Sequence, residues 1–221
     1  MDKNRTQDPA QVLLVDKPLE WTSFDVVKKL KYGLKIKKIG HAGTLDPLAT
    51  GLLILCTGKK TKEIESFQAQ EKEYTGTFIL GQTTPSYDLE TAVDSTHDIT
   101  HITGEQVKAA AKTFEGWIDQ VPPVFSAVKV QGKRAYESAR AGKEIQLKAK
   151  KVEIKLFEIT SIALPEVSFR VICSKGTYIR SLARDFGREL QVGAYLASLR
   201  RTRIGEFRVE DAKTLAEILQ K

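Results

Sequence analysis

The chain has 221 residues, of which 41% are hydrophobic and 29% charged, proportions that exclude a disordered or fibrous protein. Its net charge of +7 is a moderate basic excess, which favours a polyanionic partner. No apolar run approaches the roughly 20 residues that cross a bilayer, and residues 1–10 lack the apolar segment of a signal peptide. We therefore predict a cytoplasmic protein that does not interact with membranes, with residues 1–10 as a mobile tail.

The beginning of the chain predicts a strand followed by a helix. The strand is the short apolar run Val12–Val15, which ends at a polar residue pair and a proline. The helix is predicted over 23–31, with Ser23 as its N-cap because a serine hydroxyl can accept a hydrogen bond from the first turn. Apolar residues at helical spacing predict the buried side of this helix: Phe24, Val27 and Leu30.

The segment Lys38–Cys56 is the most informative part of the sequence. It begins with a polar loop, His41–Asp46, and continues into Leu52–Cys56, which is apolar at every position and so typical of a strand covered on both faces. Three glycines, at 40, 43 and 51, predict that this segment can lie close to a ligand. A single carboxylate on such a loop, at Asp46, predicts a nucleophile, although Asp-Pro is also a common turn.

The rest of the chain mixes helices and strands without a regular βαβ rhythm, which predicts an α+β fold in a single domain over residues 1–221. Thr103–Gln106 is a capping box that begins a helix ending before Gly116. Gly81–His101 is predicted to be a loop. The other predicted helices are 59–68, 136–141, 177–190 and 215–219, and the other predicted strands are 74–80, 125–130, 152–159 and 167–173.

Basic residues cluster just before the His41–Asp46 loop. Six lysines fall there within eleven residues: Lys28, Lys29, Lys31, Lys35, Lys37 and Lys38. A charge run alone is usually a solvated face, but its position next to the loop favours a nucleic acid partner. Cys56 and Cys173 lie in apolar runs and are predicted to be buried free thiols. No cysteine or carboxylate lies at metal-ligand spacing from the histidines, so no metal site is predicted.

Six blocks of this sequence resemble, in order, the motifs of the TruB family of tRNA pseudouridine synthases. They are Leu13–Pro18 with Thr22 and Ser23, Lys38–Cys56, Lys72–Tyr74, residues within 122–133, Cys173–Arg180, and Leu199–Gly205. The resemblance implies the pseudouridine synthase fold, a mixed and mostly antiparallel sheet flanked by helices with a central active-site cleft. It also implies isomerisation of uridine-55 in the T-loop of tRNA to pseudouridine, by base flipping and aspartate nucleophilic catalysis.

The resemblance assigns three catalytic residues by motif position. Asp46 would be the nucleophile, and Arg180 would be the cation that keeps its carboxylate ionised. Tyr74 would stack on the flipped base, a contact worth about 1–3 kcal/mol per base. Without the resemblance, a lone tyrosine on a strand is usually structural, so the role of Tyr74 depends on the resemblance.

Five further residues would bind the substrate if the resemblance holds. His41 would enter the stack where the base was, and Tyr178 and Leu199 would line the base pocket. Lys17 and Lys175 would contact phosphate or support the pocket. His41, Tyr178 and Leu199 each have a plain structural interpretation as well, and for Leu199 a core leucine is about equally good.

The resemblance implies a T-arm stem-loop of tRNA as the partner, no cofactor or nucleotide, and a monomer. Few residues follow Gly205, so the RNA-binding PUA domain that many bacterial members carry is not expected. Glu20 departs from the family's first motif, which usually has glycine there, so the resemblance does not predict the shape of the Pro18–Ser23 turn.

Parts of the sequence are also compatible with two other functions. A non-catalytic RNA-binding or RNA-chaperone module of the same fold is the main alternative, and the presence of Asp46, Tyr74 and Arg180 argues against it. A nucleotide hydrolase is suggested by Gly58–Thr61, but Lys60 separates the Gly-Lys pair from threonine and the upstream glycine is misplaced for a P-loop.

Overall fold

The structure, a computed structural model, describes residues 9–126, 129–130, 133–134 and 147–220. Residues 1–8 of the predicted tail, part of the strand predicted at 125–130 and the helix predicted at 136–141 lie outside them. The chain comprises two compact units, Met1–Tyr74 with Leu199–Lys221 (unit 1) and Thr75–Ser198 (unit 2). The single domain over residues 1–221 stays a prediction. No described helix is long and apolar enough to span a membrane.

Helices and strands alternate irregularly and most strand pairs are antiparallel, so the predicted α+β class is confirmed. The strands are β1 Val12–Lys17, β2 Ile39–Ala42, β3 Ala49–Thr57, β4 Lys72–Leu80, β5 Gln82–Thr83, β6 Ser95–Thr96, β7 Gly116–Gln120, β8 Lys129–Val130, β9 Lys133–Arg134, β10 Lys150–Ala163, β11 Glu166–Cys173, β12 Ala194–Ile204 and β13 Phe207–Arg208. The α-helices are α1 Ser23–Gly33, α2 Ile64–Ala69, α3 Gly104–Thr113, α4 Ile179–Glu189 and α5 Leu215–Leu219.

The central strand of unit 1 is β3. β1 pairs antiparallel with it from Gly51 to Cys56, while its other edge pairs with β2 and, in parallel, with β12. Side chains on one face of β3 pack with α1 and α5, and those on the opposite face pack with α2 and the end of β12. The predicted strand covered on both faces is therefore confirmed, because alternate residues of β3 enter two different apolar clusters.

Helix α1 begins at Ser23, but its N-cap is Thr22, so the predicted cap is wrong by one residue. The hydroxyl of Thr22 accepts from the Asp25 N–H at 3.0 Å, and the Asp25 carboxylate accepts from the Thr22 N–H at 3.0 Å, forming a capping box. The predicted buried side is also partly wrong, because Phe24 is 68% exposed. The buried stripe follows i, i+3, i+4, i+7 from the first residue: Ser23, Val26, Val27 and Leu30.

The turn before α1 retains a left-handed residue although no glycine is present. Glu20 has a φ of 65°, and its N–H donates to the carbonyl of Pro47 at 2.9 Å. A non-glycine residue in this region costs about 1–2 kcal/mol. We therefore expect Glu20→Gly to raise the free energy of unfolding by about 0.5–1 kcal/mol, since glycine's greater freedom in the unfolded chain offsets part of the relief.

Urea denaturation of Glu20→Gly and Glu20→Val tests this strain. The valine variant should lose about 1 kcal/mol or more, because a β-branched side chain fits the left-handed region poorly. A glycine variant less stable than the wild-type protein would contradict the account.

Unit 2 is built around β10, which pairs antiparallel with β11 on one side and with β7 on the other. Its core contains phenylalanines in mutual contact, and the rings of Phe78 and Phe169 are stacked with centroids 4.1 Å apart. The capping box of α3 is confirmed, because the Thr103 hydroxyl accepts from the Gln106 N–H at 3.2 Å. The predicted loop Gly81–His101 contains one short ladder, between β5 and β6. Cys56 and Cys173 are both buried and are not joined in a disulfide, as predicted.

Candidate active site

Asp46 lies in the connection between β2 and β3, in unit 1. Its carbonyl accepts from the Ala49 N–H at 3.0 Å, which closes a turn with Pro47 at the second position, where the fixed φ of proline is favoured. The Asp46 side chain is partly exposed. The Asp-Pro turn expected from sequence is therefore present, and it presents the carboxylate at the start of a buried strand.

Hydrogen bonds fix both sequence neighbours of Asp46. The Ser23 hydroxyl accepts from the Leu45 N–H at 2.9 Å and donates to the Leu45 carbonyl at 3.1 Å. On the other side, the Pro47 carbonyl accepts from the Glu20 N–H at 2.9 Å and from the Lys17 ammonium at 3.3 Å. The position of the Asp46 backbone is thus set by the end of β1 and the start of α1.

Lys17 is a buried cation beneath this turn, with a side chain that is 0% exposed. Its ammonium donates to the carbonyls of Pro18 at 2.9 Å, Trp21 at 2.5 Å and Pro47 at 3.3 Å. Burial lowers the pKa of Lys17 to about 8, while the Asp46 carboxylate acts in the opposite direction and Arg201 lowers it further. Because three carbonyls take its three N–H donors, the geometry favours pocket support over a phosphate contact.

Arg201 of β12 is a second buried cation in unit 1, 1% exposed. Its Nε donates to the Leu52 carbonyl at 2.8 Å and its Nη2 to the Gly43 carbonyl at 3.1 Å, so it holds the loop before Asp46. Gly51 has a φ of 100°, and a Cβ there would lie 2.3 Å from the Arg201 carbonyl oxygen. Gly51 therefore allows the close approach of its parallel neighbour strand, and the contact of this segment with a ligand stays a prediction.

His41 is on β2 and not in a loop, so that prediction is wrong: His41 pairs with Leu55 of β3. Burial lowers the pKa of His41, and the charge of Arg201 lowers it further. The imidazole is consequently mostly neutral at pH 7, which suits packing against a base better than a charged contact.

Tyr74 and Leu199 also belong to unit 1. Tyr74 is 8% exposed on β4. Leu199 is partly buried on β12 and pairs in parallel register with Ala49, the residue whose N–H bonds the Asp46 carbonyl. Unit 1 therefore brings Leu199 next to the Asp46 turn, as a pocket-lining role requires.

Arg180 is in unit 2, at the second position of α4, and is 5% exposed. Its Nη2 donates to the Phe125 carbonyl at 3.0 Å and its Nη1 to the Ser86 carbonyl at 3.5 Å, while its Nε lies 3.5 Å from a carboxylate oxygen of Asp88. A guanidinium bonded in three directions has little freedom to reorient.

Tyr178 directly precedes α4 as its N-cap residue. The Gln120 side chain holds its backbone, accepting from the Tyr178 N–H at 2.8 Å and donating to its carbonyl at 3.1 Å. Lys175 is exposed between β11 and α4. Unit 2 thus fixes Tyr178 and Arg180 at one helix terminus.

Sequence reasoning missed two residues in each unit that position candidate site residues of that unit: Ser23 and Arg201 in unit 1, and Asp88 and Gln120 in unit 2. Ser23 and Arg201 had a signal, since each lies in a block that resembles a family motif. Asp88 and Gln120 are polar residues whose partners are distant in sequence, and no local pattern distinguishes them.

The fold is that of pseudouridylate synthases. A crystal structure of pseudouridylate synthase shares it with a TM-score of 0.50 at 18% identity, over 96% of this chain and 73% of that one. The chain also superimposes with a TM-score of 0.75 on a chain of a Cbf5-Nop10-Gar1 complex, at 32% identity over 95% of this chain and 53% of the other. An archaeal box H/ACA sRNP Nop10-Cbf5 complex gives a TM-score of 0.71 at 29% identity, with 95% and 52% covered. The chain spans about half the length of these last two solved chains.

Sequence comparison gives the family. Residues 31–179 match the TruB family pseudouridylate synthase N-terminal domain, and residues 180–221 match the tRNA pseudouridylate synthase B C-terminal domain. The tRNA pseudouridine synthase B of Flavobacterium johnsoniae is 59% identical over 209 residues, covering 91% of each chain. That of Chloroherpeton thalassium is 54% identical over 217 residues, covering 96% of this chain and 90% of the relative. The chain therefore belongs to the TruB family of pseudouridylate synthases, which are isomerases.

Proposed function

We propose that this protein converts uridine-55 in the T-loop of tRNA to pseudouridine, with Asp46 as the nucleophile. The observation that carries the proposal is the fixed Asp46 turn: Leu45 and Pro47 are both held by hydrogen bonds, so the backbone that carries the intervening carboxylate is held in one position. Preorganisation of this kind is what a covalent catalyst requires, because a small misplacement of the nucleophile lowers the rate strongly.

The reaction is an isomerisation, and atoms balance without a cofactor. The bond between uracil N1 and ribose C1′ breaks, the base rotates, a bond forms between C5 and C1′, and the proton on C5 is transferred to N1. Asp46 forms a covalent adduct with the sugar or the base, or assists elimination. Arg180 would stabilise the ionised carboxylate, and Tyr74 would stack on the flipped uracil.

The remaining substrate contacts are also proposals. His41 would fill the space that the flipped base leaves, its neutral ring being suited to stacking. Tyr178 and Leu199 would line the pocket, and Lys175 would contact phosphate. Lys17 would act indirectly, through its hydrogen bond to the Pro47 carbonyl.

The proposed partner is the T-arm stem-loop of tRNA, bound by a monomer in the cytoplasm, where tRNA is matured. The net charge of +7 supports a polyanionic partner.

Incubation with an unmodified tRNA transcript and with an isolated T-arm hairpin, without nucleotide or added metal, tests the function. We expect pseudouridine at one T-loop uridine in both RNAs, and none in matched RNAs in which that uridine is replaced by cytidine. Binding of both RNAs without pseudouridine formation would instead support the non-catalytic RNA-binding alternative and would refute the proposal.

A further inference from the structure

The outward side of α1 combines aromatic rings and lysines at the surface. We call it the α1 face and define it by Phe24, Lys28, Lys29, Lys31 and Tyr32. Phe24 is 68% and Tyr32 71% exposed, and the three lysines are exposed as well. Successive α-helical residues are 100° apart, so Phe24, Lys28, Lys29 and Tyr32 lie in the half of the helix opposite the buried stripe of Ser23, Val26, Val27 and Leu30, and Lys31 lies at the edge of that half.

The positive charge on this face is only partly offset by neighbouring acidic side chains, Glu20 and Asp25. Between Ser23 and Lys38 there are six lysines and one acid, Asp25. The Asp25 carboxylate accepts hydrogen bonds from Thr22 in the capping box. Within the described ranges of the chain, none of Lys28, Lys29 and Lys31 forms an ion pair, so the face attracts anions.

A groove runs along the same helix and adds apolar contact area. Its walls are Glu20, Trp21, Asp25, Lys28, Lys29, Tyr32, Gly33 and Leu219. Exposed aromatic rings between lysines suit an RNA strand. Its bases can stack on the rings and its riboses can pack against them, while its phosphates pair with the ammonium groups.

The position of α1 within unit 1 connects this face to the candidate nucleophile. The first residue of the helix, Ser23, is hydrogen-bonded to Leu45, which precedes Asp46. From there α1 extends for 11 residues, or about 16 Å. That length is enough to contact several successive phosphates of one RNA strand.

We propose that the α1 face is an RNA-binding surface that contacts the backbone flanking the target uridine. Lys28, Lys29 and Lys31 contact phosphates, and Phe24 and Tyr32 pack on riboses or bases of the same strand. Charge decides between partners here, because a second copy of this chain would bring the same lysines against one another. The inference rests on the proposed function, since it assumes an RNA whose uridine reaches Asp46.

Equilibrium binding of an unmodified T-arm hairpin, measured over a range of salt concentrations, tests the α1 face. The proteins would carry Asp46→Asn so that the hairpin is not converted. Lys28→Gln with Lys29→Gln should weaken binding about tenfold near 0.1 M salt and make the plot of log K against log[salt] shallower by about 1–2. The matched control, Lys108→Gln with Lys151→Gln, removes the same charge from two exposed lysines of unit 2 and should change affinity less than about twofold.

Aromatic variants give an independent measurement. Phe24→Ala with Tyr32→Ala should weaken binding about fivefold or more with an unchanged salt slope, whereas Trp117→Ala, at a ring 63% exposed in unit 2, should have no effect. In proteins that retain Asp46, the single-turnover rate at saturating enzyme should match the wild type for all these variants. All affected side chains are exposed, and the single Lys28→Gln and Lys29→Gln variants provide milder forms if a double variant unfolds.

The results separate this inference from the proposed function. Absence of pseudouridine from wild-type reactions would refute the function. Normal conversion, with α1 variants that bind RNA as tightly as the unit 2 controls, would overturn the α1 face alone. A changed sedimentation coefficient of α1 variants with unchanged RNA affinity would also overturn it and would assign the face to self-association.

Discussion

Asp46→Asn is expected to reduce pseudouridine formation on a T-arm hairpin by at least about 10⁴-fold, the loss typical of removing a covalent nucleophile. The amide has nearly the size of the carboxylate but cannot form the covalent adduct. The turn itself should persist, because the backbone groups of Leu45, Asp46 and Pro47 make hydrogen bonds that the substitution leaves in place. Single-turnover assays with mass-spectrometric detection of pseudouridine measure the rate.

Two controls make this result specific. Asp119→Asn changes an exposed aspartate of unit 2 and should leave the rate unchanged. Asp46→Asn should still bind the hairpin with an affinity within about threefold of the wild type, since the nucleophile attacks only after binding. If Asp46→Asn kept more than about 1% of the wild-type rate, Asp46 would not be the nucleophile.

Arg201→Leu is expected to lower the free energy of unfolding by about 2–4 kcal/mol, because each buried carbonyl left without a donor costs about 1–3 kcal/mol. The two carbonyls are those of Leu52 and Gly43, and the second belongs to the loop before Asp46. In conditions where the variant stays folded, the single-turnover rate should fall about 100-fold, since the loop is no longer held in place.

Arg200→Leu is the matched control on the same strand. Arg200 forms an ion pair with Asp16 at 2.8 Å, but its side chain is 41% exposed, so we expect a loss below about 1 kcal/mol and little change in rate. Urea denaturation and the hairpin assay compare the two variants. Equal effects of Arg200→Leu and Arg201→Leu would contradict the positioning role of Arg201.

The pH dependence of stability gives a further readout of the same variant. Burial lowers the pKa of Lys17 from its ordinary value of 10.5 to about 8 in the folded protein. Between pH 8 and pH 10.5 the unfolded chain therefore binds up to one proton more at Lys17 than the folded protein does. The contribution of Lys17 to the free energy of unfolding therefore rises with pH over this range. Because the Arg201 charge lowers the pKa of Lys17, Arg201→Leu should raise that pKa and narrow the pH range over which stability rises.

Local patterns in the sequence predicted much of the secondary structure correctly. The apolar run within β3, the capping box of α3 and the short helix α5 all depend on residues close together in the chain. Strand β12 was missed, because its residues Arg200, Arg201 and Arg203 interrupt any apolar alternation. In the structure each of the three meets groups distant in sequence. Arg200 pairs with Asp16, Arg201 donates to the Leu52 and Gly43 carbonyls, and Arg203 pairs with Glu71 and Glu73.

The sequence by itself determined the family and the chemical identity of the candidate nucleophile, because ordered motifs and a special loop are readable along one chain. Only the tertiary structure decided how that loop is held. Ser23 meets Leu45 across 22 positions, and Arg201 meets Gly43 across 158. Such pairings arise when packing brings buried donors to carbonyls that would otherwise lose their hydrogen bonds with water, and no local residue pattern encodes which distant partner will be chosen.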